Sequence, residues 1–386
     1  MSENKKKKRP LDVKTIINSA VFFGFIVIFG ILTLVMPKEK KSELENRNLA
    51  DFPKFSFDNV MNCKFMNGIE TYISDHFVGR VPYLKLKGAS ERFIGRSERN
   101  DVYITGERMM LKVTDPDYAS VDKSIDAINI FNDGIDAQVY MMLVPTSAAI
   151  YSDQLPKNAP NLDQQSFIDY VYGKLDSDIV GIDAYSAMKS GANEYIYYRT
   201  DHHWTSLGAY LAYNAAGKKM GYSPLARDSF DIQHASDSFL GTLYSKTLYD
   251  GCEPDVIDYW FGENGENIVS MEVNTGNGVD TYDSLYMREY LDKKDKYASF
   301  TGTNQPLITI KTKCEDGPKI LVVKDSYAHS YVPFLANNYS EITMLDMRYV
   351  QTSYKNVVDP ENFDQVLILY NVSTFMTDSN IPKLKY

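Results

Sequence analysis

The sequence predicts an α/β fold: a mostly parallel sheet flanked by helices, with a β-rich insertion, behind an N-terminal transmembrane helix. Three observations predict it. Apolar strand-like runs alternate with helix-like runs from about residue 119 to residue 371, the signature of a parallel sheet covered on both faces. Residues 226–310 interrupt that alternation with Asp, Gly, Ser, Tyr and short alternating segments such as "VIDYWFG" and "PLITIKT". Near the start, 22 residues without charge (15–36) follow the basic cluster "KKKKR".

Each element follows in order. A run of about 20 apolar residues spans a bilayer as a helix. The preceding lysines then hold residues 1–14 in the cytoplasm and place the remainder outside. The run exceeds a signal-peptide core, and "LVMPKEKK" offers no small-residue cleavage site, so an uncleaved single-pass anchor is expected. Residues 37–56 read as a polar linker, and residues 57–386 as the extracytoplasmic domain. Apolar spacing predicts helices over 58–77 and 82–95. "VYITGERMMLKV" predicts two short strands around Gly106. Helices are predicted over 119–134, 163–176 and 205–221, and strands over 138–145 and 179–185. "KILVVKDSYAHSYVPFLANNY" reads as strand, sharp turn and helix. "EITMLDMRY" and "QVLILYN" are strand-like again.

Charge narrows the partners. Residues 1–41 carry a net +6, so the other residues carry −16 of a chain total of −10. An acidic outer domain repels phosphates and excludes nucleic acid as a partner. The 29 tyrosines suit either a polymer-binding face or an ordinary core. Cys63, Cys252 and Cys314 are far apart with no metal-ligand spacing. One disulfide, for example Cys252–Cys314, and three free thiols are equally compatible with an outer location.

In an open α/β sheet, chemistry collects at the carboxyl ends of the strands. Ser326 in "ILVVKDSYAHS" follows such a strand at once. Its hydroxyl would sit at the sheet rim and its N–H near a helix N-terminus, where an oxyanion is stabilised. Alternatively, Asp325 or Ser326 only caps that helix. A serine nucleophile needs a base, and the base needs an orienting carboxylate. "TDHHWT" supplies both. Asp201 and His203 are two apart, so an extended backbone puts them on one face, with His202 on the other. Trp204 is expected to wedge the loop against the core, and Thr205 or Ser206 to cap the next helix. Asp201, His202 and His203 could also offer metal ligands, but no further ligand motif completes a site, and neither metal nor cofactor is expected. His76, His234 and His329 read as structural or surface residues, His329 lying closest to Ser326.

"TDHHWT", then "SLGAY", with "VVKDSYAHS" about 120 residues on, resembles the DHHW protein family of Gram-positive bacteria. That family is similar to the alginate O-acetyltransferases of the SGNH-hydrolase superfamily. "SELENRNLADFP" and "IETYISDHFVGR" extend the resemblance to the region from about Ser42 onward. The resemblance implies an SGNH-hydrolase-like sheet, with Ser326 as nucleophile, His203 as base and Asp201 as orienting carboxylate. It departs at Lys324, where the superfamily commonly has glycine before Asp-Ser. Arg348, Tyr327 and Asn371 are candidates for substrate or oxyanion contact, although Arg348 could simply pair with Asp346. The implied activity is O-acetylation of an exopolysaccharide or cell-wall glycan through an acyl-enzyme. Because acetyl-CoA is cytoplasmic, the topology also implies a multi-spanning membrane partner that exports the acyl group. A carbohydrate esterase with the same triad, and a non-catalytic envelope protein, are the alternatives.

Overall fold

The computed structural model describes residues 12–386; the basic cluster at residues 5–9 lies outside them. The chain forms two compact units, one ending at Phe93 and one running from Ile94 to Tyr386.

In the first unit a 23-residue helix, Val13–Val35, is long and apolar enough to cross a membrane. Its large apolar side chains are exposed. Helices Lys64–His76 and Arg80–Phe93 follow. The helix expected over 58–77 is broken at Cys63, whose φ of +61° is left-handed and ends the short helix Phe57–Met61. Arg47 and Arg80 pair with Glu45 and Asp75 to fasten this unit. These helices fall in the unit that ends at Phe93.

The second unit is built on an eight-stranded mixed sheet. Its strands, together with a separate hairpin, are β1 (Gln138–Val144), β2 (Val180–Ile182), the hairpin β3 (Asp231–Phe239) and β4 (Asp255–Phe261), β5 (Ser270–Asn274), β6 (Val279–Tyr282), β7 (Leu307–Lys311), β8 (Lys319–Lys324), β9 (Glu341–Leu345) and β10 (Gln365–Asn371). The spatial order is β6-β5-β7-β9-β8-β10-β1-β2. The strands from β9 to β2 run parallel, whereas β6, β5 and β7 pair antiparallel and extend the sheet beyond β9. The sheet is therefore mixed rather than mostly parallel. Much of the expected insertion is sheet: β5, β6 and β7 belong to it, and only β3–β4 stands apart. Short apolar strands do not by themselves reveal which edge they will join.

Strand alternation decides the layers. Ile320 and Val322 of β8 join one core, with helices α3 (Ala184–Ser190), α4 (Ser206–Met220) and α5 (Ala328–Leu335). Leu321 and Val323 join the other, with α1 (Tyr118–Asp133), α2 (Gln164–Tyr172) and α6 (Val372–Thr377). Successive strand residues point to opposite faces, so one apolar run feeds both cores. A third, aromatic core holds Tyr198, Phe239, Ile257, Tyr259, Tyr286, Tyr297 and Phe300. More than half of the 29 tyrosines are buried, so core packing accounts for most of the enrichment. No disulfide joins Cys63, Cys252 and Cys314.

Candidate active site

Ser326 lies two residues beyond the end of β8, half-buried at the rim of the sheet. The turn is fixed by Asp325. Its N–H donates to the Leu369 carbonyl at 3.1 Å, and its carboxylate accepts the N–H groups of Tyr327 and Asn371 at 2.8 Å each. Burial pushes the Asp325 carboxyl above its ordinary range, partly opposed by the Asn371 N–H and Arg348. Helix α5 starts only at Ala328, and Ser326 Oγ makes no cap bond. The Ser326 N–H, just ahead of that helix, has no hydrogen-bond partner among the described residues.

The loop facing it is a tight bend. Tyr197 and Trp204 bridge across it, and Thr205 N–H donates to the Ile196 carbonyl at 2.9 Å. Thr205 caps α4. Gly208 is required there, because a Cβ would sit 2.4 Å from the Ile196 oxygen. Asp201 Oδ1 accepts the His203 N–H at 2.9 Å and lies 2.6 Å from His203 Nδ1. His203 Nε2 lies 2.7 Å from Ser326 Oγ. The contact between Asp201 and His203 thus arises from the bend, not from strand alternation. For the same reason His202 does not point away: its ring centre is 3.9 Å from that of His203, and its Nδ1 is 2.7 Å from Thr242 Oγ1.

Electrostatics favour an ionised Asp201. Burial raises its carboxyl, but the adjacent imidazoles, the His203 bond and the Thr242 N–H outweigh that and hold it well below the carboxylate range. His202 falls to about 4, mainly through burial and then through His203. Asp201, His202 and His203 are close enough for one cation. However, both nitrogens of His203 and both oxygens of Asp201 are already engaged by protein groups.

Three supports come from residues 226–310, where no motif announces them. Thr242 donates N–H and Oγ1–H to Asp201 Oδ2 at 2.7 and 2.9 Å. Buried Asp255 accepts the N–H groups of Arg199 and Thr200 at 2.6 and 2.7 Å, and the hydroxyls of Thr200 and Tyr195. Tyr297 stacks on the His203 ring at 3.8 Å and 7°. Its hydroxyl reaches the Ser326 carbonyl at 3.1 Å and Ser330 Oγ at 3.0 Å.

The remaining expected site residues are placed as follows. Trp204 is fully buried, and its Nε1–H donates to the Tyr327 carbonyl and to Ser330 Oγ. Tyr327 is buried, and its hydroxyl donates to the His202 carbonyl. Asn371 caps α6 through its Oδ1. Tyr327 therefore ties the "DHHW" loop to the turn at Ser326, whereas the Asn371 Nδ2 is buried with no hydrogen-bond partner among the described residues. Arg348 pairs with both oxygens of Asp346 at 2.8 and 2.6 Å and keeps about a quarter of its side chain exposed. The departure at Lys324 is a buried network: its Nζ lies 2.8 Å from His329 Nε2, 2.9 Å from Asn304 Oδ1 and 3.3 Å from Asp346. The His329 imidazole is held further by Thr301 at 2.6 Å, and its backbone N–H donates to the Ser326 carbonyl at 3.3 Å.

The family model described as DHHW protein matches residues 116–345, more than half of the chain and both motif regions. The chain belongs to the DHHW family. No curated protein matches this DHHW chain at a significant level. Among solved structures, a DHHW family protein from Eubacterium siraeum DSM 15702 is similar, with 24% identity and a TM-score of 0.63, over 74% of this chain and 97% of that one. Bacillus cereus PatB1 is similar at 23% identity and a TM-score of 0.63, over 72% and 98%. PatB1 with a sulfonyl adduct gives 23% and 0.62 over 74% and 98%. The DHHW fold is thus shared with these proteins over about three quarters of the chain.

Proposed function

We propose that this DHHW protein is a membrane-anchored O-acyltransferase that moves an acetyl group onto a glycan hydroxyl, using Ser326, His203 and Asp201. The observation that carries this reading is the unbroken relay from buried Asp201 through His203 to half-exposed Ser326, with links of 2.6 and 2.7 Å. Such a relay raises the nucleophilicity of a serine.

The steps follow from the geometry. Ser326 Oγ attacks the acyl carbonyl carbon, and its proton passes to His203 Nε2. The negative oxygen faces the unpaired Ser326 N–H. Collapse expels the leaving group, which takes the proton from His203 and leaves an acyl-Ser326 ester. An acceptor hydroxyl then gives its proton to His203 and attacks the same carbon. Collapse returns the electron pair to Ser326 Oγ, which recovers the proton. Asp201 holds the imidazole tautomer throughout. The helix Val13–Val35 serves as the anchor, with the second unit outside and the acyl group delivered by a multi-spanning partner.

The test uses the full-length chain with p-nitrophenyl acetate and mass spectrometry. An acetyl group on Ser326 is expected, absent in Ser326→Ala and slowed about 10³-fold or more in His203→Ala. A sulfonyl fluoride should block the same residue. If water alone discharges the acetyl group and sugar hydroxyls do not, the protein is an esterase. Absence of acetylation in a folded wild type would sink the reading and favour a non-catalytic envelope protein.

A further inference from the structure

The carboxyl ends of β8, β9 and β5 and the amino end of the antiparallel β7 form one level edge. Val323 pairs with Leu345, Leu345 with Leu307, and Leu307 with Asn274. Ser326 lies just beyond β8. Starting at β9, a groove of about 520 Å³ opens along the same edge, towards the turn that follows β5. With strands about 5 Å apart, it reaches roughly 15 Å from the β8 end. That is the span of a short oligomer rather than of one small molecule.

The lining has a distinct chemistry. None of its eleven residues is charged, although 24% of the chain is. Val350, Val357 and Pro306 give an apolar floor. Tyr349 stands 45% exposed at one wall. Asn277 and Gln351, both exposed, present amides that bond to no other described residue. An aromatic face beside uncharged donors and acceptors matches a polyhydroxylated chain, which has apolar ring faces and a hydroxyl rim. A peptide strand would need a free sheet edge, but β7 and β9 are paired on both sides. A polyanion would meet an acidic outer domain. The groove also adjoins the site: Arg348 and Asn304, next in sequence to Tyr349 and Gln305, contact each other at 3.4 Å, and Asn304 contacts Lys324.

We propose that this groove binds an uncharged glycan chain, with Tyr349 as its platform, and so presents acceptor hydroxyls along the edge that carries Ser326. The presentation rests on the acyl-transfer reading; the binding does not.

The experiment is calorimetry on the full-length chain in a detergent without a sugar headgroup. The probes are chitohexaose, cellohexaose and hexagalacturonate. At least one neutral hexamer should bind, more tightly than hexagalacturonate. Tyr349→Ala should weaken that binding about tenfold, and Asn277→Ala/Gln351→Ala should weaken it as well. Equal affinity in both variants, tighter binding of hexagalacturonate, or no neutral hexamer bound would overturn the proposal. Acetylation of Ser326, measured separately, reports on the acyl-transfer reading alone.

Discussion

His203 is held on three sides: Asp201 at Nδ1, Ser326 at Nε2, and the ring of Tyr297 across its face. Two contacts set its direction in the ring plane; the third stops the plane from tilting. A small misplacement of a catalytic base can cost about 100-fold in rate. Tyr297→Leu is therefore expected to slow Ser326 acetylation about 10- to 100-fold, and Tyr297→Phe to restore most of it, by quenched-flow mass spectrometry. Equal loss in both variants would assign the effect to the hydroxyl clamp instead. Lys324 yields a pH prediction. Burial lowers its ammonium from 10.5 to about 8, with Asp346 opposing and Arg348 reinforcing the fall. Between those values the unfolded chain binds the extra proton, so this group makes stability rise with pH from about 8 to 10.5. Melting curves across that range should contain a rising component that Lys324→Met removes. Parallel curves for the two proteins would count against it.

At the level of elements, the loop 195–204 is kept in shape by residues far from it in sequence. Asp255, the first residue of β4, neutralises the donors of a bend that has few backbone bonds of its own. Removing a buried acceptor with several partners costs about 2–4 kcal/mol. Asp255→Ala should lower the thermal midpoint by several degrees and slow acetylation together. Gly241 is a sharper probe. A Cβ there would lie 2.3 Å from the Asp201 side chain, so Gly241→Ala should displace the carboxylate. Acetylation should fall at least about tenfold with a smaller thermal change. Full activity in Gly241→Ala would show that Asp201 tolerates displacement.

Across the whole molecule, the apolar helix Val13–Val35 sits in one compact unit and the candidate site in the other. Anchoring predicts that the full chain stays with membranes through alkaline carbonate extraction, and that deletion of residues 1–36 releases it. Orientation has its own readout. Cys63 is exposed, whereas Cys252 is buried. Cys314 is partly exposed, so on intact cells a membrane-impermeant maleimide should label Cys314→Ser and not Cys63→Ser/Cys314→Ser if the outer side is correct. Labelling only after lysis would reverse the topology.

The sequence alone determined the local features. The uncharged run, the strand–turn–helix around Ser326, the bend residues Asp201 and His203 and the family itself are all written in short stretches, because hydropathy period and turn chemistry act over a few residues. Tertiary structure decided the rest. That β5, β6 and β7 extend the main sheet, that His202 lies beside His203, and that Thr242, Asp255 and Tyr297 converge on the site could not be read in advance. Apart from the β5–β6 hairpin, each depends on contacts between residues about 30 or more positions apart, and no local period encodes such pairings. Lys324 shows the divide most clearly. As a letter it only departs from the usual glycine; its burial against His329, Asn304 and Asp346 exists only once β8, β9 and α5 have packed.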